Sequence, residues 1–340
     1  MTELLNTLYV QTAGTSLHLD GDTVRVHHPD QTGRRILPLA RIDHVVLFGG
    51  VTITGDLLLR CADDRRTVSW LTEYGRFRAR VDGPTAGNPL LRRAQYDAHQ
   101  DVSRRLPIAQ RMVAGKIHNC RQLLLRAARD ADGKDRTSLR TTAERHAQSL
   151  IAARQAADLD TPSGYRGHNG PGLLRHVPPR VEASRGAVIR TRRPPTDPLN
   201  CLLSFLYGML RVAVHGALEQ VGLDPYIGYI HGVRPGKPAL ALDLMEEFRP
   251  LLADRLALTM LNRKELHDND FENLPGGAVR LTDTGRRAVL NALQNNRDRM
   301  WPHAQLGREV PAALLPLVQA RLLARHLRGD LDQYLPWTAT

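Results

Sequence analysis

The stretch Tyr229–Pro250, YIHGVRPGKPALALDLMEEFRP, combines a histidine, a Gly/Pro-rich loop and an apolar segment with three acidic side chains. His231 stands just before the loop, and Asp243, Glu246 and Glu247 lie in the apolar segment beyond it. If that segment is helical, residues three and four apart share a face, so Asp243 lies beside both glutamates. The stretch therefore predicts a loop followed by a helix that presents carboxylates next to an imidazole.

An imidazole that faces carboxylates across a short loop can hold a divalent cation. Carboxylate oxygens suit Mg²⁺ or Mn²⁺, and an added imidazole favours Mn²⁺. The alternative is a helix start with acidic side chains in its first turn, which the helix dipole favours without any ligand. On spacing alone the structural alternative is the commoner of the two.

The same stretch resembles the core of the CRISPR-associated spacer-acquisition endonuclease/integrase family called Cas one. The resemblance is carried by IGYIH at 227–231 and LALDLMEEFRP at 240–250, and it extends along nearly the whole chain, closest to subtype I-C. In that family the histidine and the acidic residue three after the aspartate bind the metal. The resemblance implies a catalytic site of His231, Glu246 and Asp243, in which His231 and Glu246 ligate Mg²⁺ or Mn²⁺ and Asp243 supports them.

One segment departs from the family pattern. After Asp-Leu-Asp the family carries Arg-Gly-Ile-Glu-Gly and then an alanine-rich helix, and that glutamate is its first metal ligand. Here Arg166 stands between the matching glycines, so this position is not a ligand, and the following Gly170-Pro171-Gly172 disfavours a helix. Substitute ligands could come from His168, Asp160 or, more remotely, Glu182.

The composition favours a polyanionic partner. The chain has 340 residues, enough for two domains or more, and 42% of them are hydrophobic. Its formal charge is +12 and its pI is about 10.2, which points first to nucleic acid. A membrane surface is the alternative, but no apolar run looks long enough to span a bilayer.

Two further features predict a cytoplasmic protein. The start, Met1-Thr2-Glu3-Leu4, lacks the basic region of a signal peptide. The three cysteines, Cys61, Cys120 and Cys201, are widely spaced, which argues against both a disulfide framework and a zinc site. A reducing compartment fits this cysteine usage.

Residues 1–83 predict a small N-terminal β-sandwich domain. Short apolar runs recur at regular spacing, with turns such as Asp20-Gly21-Asp22 between them, and residues 56–62 predict a short helix. The family uses a similar domain to form a homodimer, so the resemblance implies a dimerisation domain here.

The rest of the chain predicts helices. The Gly/Pro-rich residues 84–92 form a linker, and residues 93–340 form a larger all-α domain with catalytic and DNA-binding roles, so the fold class is α+β. Asp197-Pro198 is a helix cap followed by proline at the first helical position. A short strand is predicted at 278–282.

Basic side chains are the predicted contacts to DNA. A basic helical face is usually just solvated, but the net charge favours phosphate contact here. The predicted DNA-binding set is Lys116, Arg121, Arg192, Arg193, Arg249, Arg321 and Arg325.

The resemblance implies insertion of spacer DNA into the CRISPR array during antiviral defence. The implied partners are double-stranded and branched DNA (prespacer and repeat), a second copy of the chain, and the small partner Cas two in a heteromeric complex. Three hypotheses stay open: an active metal-dependent integrase/nuclease, a degenerate DNA-binding subunit that acts through assembly, and a helical nucleic-acid-binding or regulatory module. The arginine at position 166 distinguishes the first hypothesis from the second. A repeat array beside the gene distinguishes these two hypotheses from the third.

Overall fold

The computed structural model divides the chain after Asn88 into two units, Met1–Asn88 and Pro89–Thr340. It describes residues 7–29, 35–73, 77–81, 83, 89–156 and 194–339. The described residues form helices and several small sheets, so the predicted α+β class is confirmed.

Eight strands and one α-helix are described in the first unit. They are β1 Thr7–Val10, β2 Ser16–Asp20, β3 Thr23–His27, β4 Arg35–Pro38, β5 His44–Phe48, β6 Thr52–Ile53, α1 Gly55–Asp63, β7 Thr67–Leu71 and β8 Phe77–Val81. They form two sheets, with the strand orders β1-β5-β7-β8 and β4-β3-β2-β6. The predicted turn joins β2 to β3, and Gly21 there has a positive φ of 56°.

The two sheets of this unit share one apolar core. Leu17 and Val24 come from one sheet, Val45 and Val68 from the other, and Leu57 from α1, all fully buried. β1, β5 and β7 are parallel neighbours, and α1 lies on the crossover that makes β5 and β7 parallel. The unit therefore has the two sheets of a sandwich but not the purely antiparallel pairing that regularly spaced short strands indicate.

The second unit is dominated by helices. Its described helices are α2 Pro89–Gln100, α3 Val102–Asp130, α4 Gly133–Gln155, α5 Pro198–Val221, α6 Ala239–Phe248, α7 Arg255–Asn262, α8 Asp283–Asn296 and α9 Leu315–Leu327. α3 packs along α4, and α6 packs against α3 and α5. α2 begins inside the predicted linker, since proline suits a helix start. The boundaries 1–83, 84–92 and 93–340 stay a prediction.

The second unit also contains strands, so the predicted all-α composition is corrected. β9 Phe271–Asn273 pairs with β10 Val279–Leu281, and β11 Met300–His303 pairs with β12 Arg308–Pro311, both antiparallel. β10 matches the predicted strand. The β11–β12 pair has no sequence signal, because each of its strands contains a proline and neither shows clear apolar alternation.

α5 is the apolar central helix of this unit. The Asp197 side chain accepts a hydrogen bond from the Asn200 backbone at 2.8 Å, so the predicted cap is confirmed. With 24 residues and a mean hydropathy of 1.5, α5 is the one described helix long and apolar enough to cross a membrane, which corrects the expectation that no run has this length. Because 72% of its apolar window is buried inside the protein, its composition is that of a core helix.

α6 continues into a π-helical turn, Arg249–Asp254, and then into α7. Pro250 lies in that turn. Proline has no N–H to donate, and its ring crowds the preceding turn, which accounts for the widening of the helix at this point.

The segment after α9 is tied to Glu247 in the middle of the unit. The Glu247 carboxylate is fully buried and accepts hydrogen bonds from the Trp337 backbone at 2.9 Å, from Gln319 Nε2 at 2.9 Å and from the Tyr334 hydroxyl. Asn119 of α3 donates to the backbone oxygens of Glu247 at 2.8 Å and Trp337 at 3.0 Å. These bonds join α3, α6 and the C-terminal segment.

Close packing accompanies these bonds. The Trp337 ring stacks on Phe248, with ring centroids 5.9 Å apart, and meets Trp301 edge to face at 5.4 Å. Gly115 of α3 lies so close to Pro336 that a Cβ there would come within 2.6 Å of the proline Cβ. Only glycine fits at the point where α3 meets the C-terminal segment.

The pKa of Glu247 makes stability depend on pH. Burial raises this pKa from 4.5 to about 8, although hydrogen bonds from Tyr334, Trp337 and Gln319 oppose the rise. The folded state therefore prefers the protonated carboxyl. The stabilisation from that proton is complete below the unfolded pKa and is lost as pH rises through about 8.

We expect Glu247→Gln to flatten this pH dependence, because an amide keeps the shape but cannot ionise. In metal-free buffer, denaturant unfolding at about pH 5 and about pH 8 should show the wild type losing a few kcal/mol more than the variant over that interval. Glu265→Gln, an exposed glutamate of the same unit, is the control and should follow the wild type. Equal slopes for wild type and Glu247→Gln would contradict the raised pKa.

Candidate functional site

Asp243 clamps the loop that precedes α6. Its carboxylate is fully buried and accepts backbone hydrogen bonds from Tyr229 at 2.5 Å, Ile230 at 2.9 Å and His231 at 2.9 Å. The His231 ring adds a fourth contact, with Nδ1 2.6 Å from Oδ1. These donors satisfy a carboxylate whose burial would otherwise be costly, so the loop and the helix are fixed to each other.

The same contacts define the state of the His231 ring. The carboxylate acts as acceptor toward three backbone N–H groups, so Nδ1 must carry the hydrogen that points to it. In the neutral ring Nε2 is then unprotonated and can bind a cation. The His231 side chain is 23% exposed, so the ring has access to solvent.

Glu246 lies one turn after Asp243 and faces two cations. Its Oε1 is 2.6 Å from Nη1 of Arg249, and its Oε2 is 3.0 Å from Nζ of Lys116 in α3. Burial acts to raise the pKa of Glu246, but Arg249 and Lys116, with a smaller effect from His231, outweigh burial and lower it to about 2. Glu246 is therefore ionised at neutral pH.

The two cations hold Glu246 differently. Arg249 donates an aligned hydrogen bond, whereas Lys116 forms an ion pair without that alignment. Within the described part of the chain, Lys116 is consequently the one group that contacts the buried Glu246 Oε2, and no well-aligned hydrogen bond reaches that oxygen. Such an atom is suited to a further ligand.

Arg249 is held in place from its other side. The guanidinium carbon lies 4.2 Å from the centroid of the Tyr207 ring, and the Tyr207 hydroxyl donates to Asp254. Burial alone would lower the pKa of Arg249, but Glu246, Tyr207 and Asp254 raise it well above its ordinary value. Arg249 therefore stays charged beside Glu246.

The three carboxylates of α6 do not form one cluster. Asp243 binds the preceding loop, Glu246 binds Lys116 and Arg249, and Glu247 binds the C-terminal segment. The expectation that the helix presents all three carboxylates on one face beside the imidazole is corrected for Glu247, because α6 is packed on several sides and each carboxylate meets a different neighbour. Among described residues, no group of three or more His, Cys, Asp or Glu side chains is placed to hold a metal.

Two atoms nevertheless fit a divalent cation. They are His231 Nε2 and Glu246 Oε2, an imidazole nitrogen and a buried carboxylate oxygen, and both side chains are close enough for the charge of His231 to lower the Glu246 pKa. No third ligand is found in the ranges that the structure describes. The family's first ligand position and its predicted substitutes, Arg166, His168, Asp160 and Glu182, lie outside the described residues.

The predicted DNA contacts fall into different environments. Lys116 and Arg249 are engaged with Glu246, and Arg121 is half-buried, with an Nε that meets no partner among the described residues. Arg321 and Arg325 are exposed four residues apart on α9. Arg192 and Arg193 lie outside the described residues.

Sequence reasoning missed the surroundings of Glu246. The Lys116 pairing joins helices that are far apart along the chain, and the Tyr207 contact with Arg249 joins α5 to the π-helical turn. No local pattern marks either contact. The sequence did contain one sign of the hydrogen bonds to Asp243, because Gly228 directly precedes the loop that those bonds hold.

We expect Gly228→Ala to destabilise the protein. A Cβ at Gly228 would come within 2.5 Å of Asp243 Oδ2 and 2.7 Å of the Ala239 carbonyl carbon, so the clamp would have to open. The loss in unfolding free energy should be about 2 kcal/mol, measured by denaturant unfolding.

Gly232→Ala is the matched control, because a Cβ there meets nothing within 4 Å. Its unfolding free energy should stay within about 0.5 kcal/mol of wild type. Equal effects of the two substitutions would show that the close approach at Gly228 is not maintained in solution.

Comparison with known proteins gives the family. The model of the family described as CRISPR associated protein Cas1 matches residues 8–295. A CRISPR-associated endonuclease Cas1 of Moorella thermoacetica is 45% identical over 338 residues, which cover 98% of each chain.

Solved structures share the fold at lower identity. A casposase bound to integration product superposes with a TM-score of 0.81 at 21% identity, over 98% of this chain and 93% of that one. A Cas6-RT-Cas1–Cas2 complex gives a TM-score of 0.82 at 22% identity, over 99% of this chain and 36% of that one. With the family model matching most of its length and a relative matching nearly all of it, the chain belongs to the Cas1 family of CRISPR-associated proteins.

Proposed function

We propose that this chain is a metal-dependent DNA endonuclease and integrase that inserts spacer DNA into a CRISPR array. The observation that carries the proposal is the pair of His231, oriented by a buried carboxylate, and Glu246, ionised beside it, in a chain of the Cas1 family. Subtype I-C and a cytoplasmic location are part of the same proposal.

The metal site would use the two fitting atoms. His231 Nε2 and Glu246 Oε2 would hold Mg²⁺ or Mn²⁺, and Asp243 would keep the His231 ring in the tautomer and orientation that binding needs. A cation bound there would stabilise the charge that develops on a phosphodiester when a 3′-hydroxyl attacks it. The chain's own part is to keep Glu246 ionised through Lys116 and Arg249 and to supply positive charge beside it.

Arg166 weakens this site in our proposal. The resemblance puts it at the family's first ligand position, and a guanidinium cannot deprotonate to become a ligand. Glu246 is moreover already neutralised by Lys116 and Arg249. The alternative function, favoured by the same observations, is a catalytically degenerate DNA-binding subunit that acts only through assembly.

The proposed partners are DNA and protein. The formal charge of +12 suits double-stranded and branched DNA, here prespacer and CRISPR repeat. One structural neighbour is a casposase bound to integration product and another is a complex that includes Cas1 and Cas2. We accordingly propose a heteromeric complex with Cas2 and a homodimer formed through the first unit, with no membrane partner.

Catalysis is tested by cleavage of branched DNA with Mg²⁺ and with Mn²⁺. We expect weak or undetectable cleavage by the wild type and higher cleavage by Arg166→Glu, since the substitution replaces a cation by a ligand. Adding His231→Ala to Arg166→Glu should lower the cleavage rate by about 100-fold or more relative to Arg166→Glu alone. Calorimetric titration with Mn²⁺ should show tighter binding by Arg166→Glu than by wild type.

The control for these variants is Glu265→Gln, an exposed acidic position outside the site. If the wild type cleaves fully and His231→Ala abolishes that cleavage, then Arg166 does not impair catalysis. That result would mean that His168 or Asp160 completes the metal site. No cleavage by any variant, with DNA binding retained, would establish the degenerate subunit instead.

DNA affinity should fall steeply with salt and tolerate sequence changes. Each neutralised phosphate contributes about −0.9 to the slope of log affinity against log salt for duplex DNA. Arg321→Ala with Arg325→Ala should weaken binding equally for unrelated sequences and reduce the slope by about 2, measured by fluorescence anisotropy.

Arg60→Ala is the control for that measurement, because its exposed guanidinium is already paired with Asp22 and Asp64. Its salt slope should match the wild type. An affinity that does not change with salt would contradict phosphate contact altogether.

A further inference from the structure

A cavity of about 550 Å³ opens in the second unit between α3, the end of α4, the residues around His303 and the C-terminal segment. Its volume lies in the range of small-molecule sites. Neither His231 nor Glu246 lines it, so it is distinct from the candidate metal site. Arg111 and Trp337 are among its lining residues, and we name it the Arg111–Trp337 cavity.

Among its described lining residues, the cavity carries positive charge without a compensating carboxylate. Arg111 and Arg154 both line it, and no acidic side chain occurs among the described lining residues. Burial and the charge of Arg154 lower the pKa of Arg111, which means that the two guanidiniums repel each other. Among the described residues, Arg111 donates a hydrogen bond to the neutral side chain of Gln333. An anion placed between them would relieve this repulsion.

Two side chains that line the cavity also hold buried hydrogen-bond acceptors without a donor among the described residues. Gln319 Nε2 donates to Glu247 and to Tyr334, so the Gln319 oxygen is the atom that faces His303 Nε2 at 3.0 Å. His303 Nε2 must therefore carry the hydrogen, which leaves Nδ1 as a bare acceptor. His303 is 3% exposed, and its Nδ1 and the Gln305 Oε1 are buried without a partner among the described residues.

Most of the remaining wall is apolar, and Trp337 in it is held in place. Pro336 and Trp337 line it, and Trp337 is fixed by its stacking on Phe248 and by its backbone hydrogen bond to Glu247. A planar organic group can lie against such a wall without ordering it further. Cations, bare acceptors and an apolar wall therefore occur in one cavity.

We propose that the Arg111–Trp337 cavity binds a nucleotide unit. Its phosphate would be held by Arg111 and Arg154, and an amino-bearing base would donate to His303 Nδ1 and Gln305 Oε1 from its place against the apolar wall. The unit comes from a free nucleotide or from an unpaired nucleotide of a DNA strand. This site needs no metal, so it stands apart from the proposed catalysis.

The test is calorimetric titration of the full chain in EDTA with deoxyadenosine monophosphate. Saturable binding is expected, and deoxyadenosine and deoxyribose 5-phosphate should each bind at least about tenfold more weakly, because each lacks one half of the contacts. Arg154→Ala, at an exposed position, should weaken binding by about tenfold or more. Arg145→Ala, on the same helix but not lining the cavity, should bind as the wild type does.

A second arm distinguishes the source of the nucleotide. If the monophosphate does not bind, but Arg154→Ala weakens a single-stranded oligonucleotide more than a blunt duplex and more than Arg145→Ala does, the unit belongs to a DNA strand. Melting temperatures equal to wild type verify that both variants fold. The proposal is overturned if neither ligand distinguishes Arg154→Ala from Arg145→Ala, or if deoxyribose 5-phosphate binds as well as the complete nucleotide.

Discussion

The buried carboxylate of Asp243 is the contact on which the candidate site depends. It gathers three consecutive backbone N–H groups and one imidazole N–H, so that a loop with little regular structure becomes as fixed as the helix behind it. An unpaired carboxylate at that depth would be strongly unfavourable, and therefore the loop has no comparable alternative position. The orientation of His231 follows from this one constraint.

Adjacent glutamates on α6 show how environment decides chemistry. Glu247 is fully buried and Glu246 is 12% exposed, yet two cations keep Glu246 ionised, whereas burial among neutral donors raises the pKa of Glu247. A helix turns by about 100° between neighbours, so consecutive residues face different surroundings. One glutamate thus acquires a charge suited to binding, and the other becomes a packing element between α6 and the C-terminal segment.

The features predictable from sequence are those with local causes. The capped start of α5 at Asp197, the turn at Gly21 and the loop before α6 each follow from a few adjacent residues. The partners of Glu246 and Glu247 were not predictable, because contacts between distant helices leave no periodic or motif-like trace. The parallel strands of the first unit were missed for a related reason, since strand direction depends on the path of the chain between strands.

The ties between Glu247 and the C-terminal segment also bear on the order in which the protein folds. The side chains and backbone that satisfy this carboxylate come from Gln319, Tyr334 and Trp337, which follow it by 72, 87 and 90 residues. On the ribosome, α6 is therefore made long before its buried acid can be satisfied. Until Gln319, Tyr334 and Trp337 have all emerged, burying Glu247 leaves a carboxyl group without its full set of donors. The second unit consequently closes around α6 late in synthesis, and nascent chains expose the apolar faces of α6 until then.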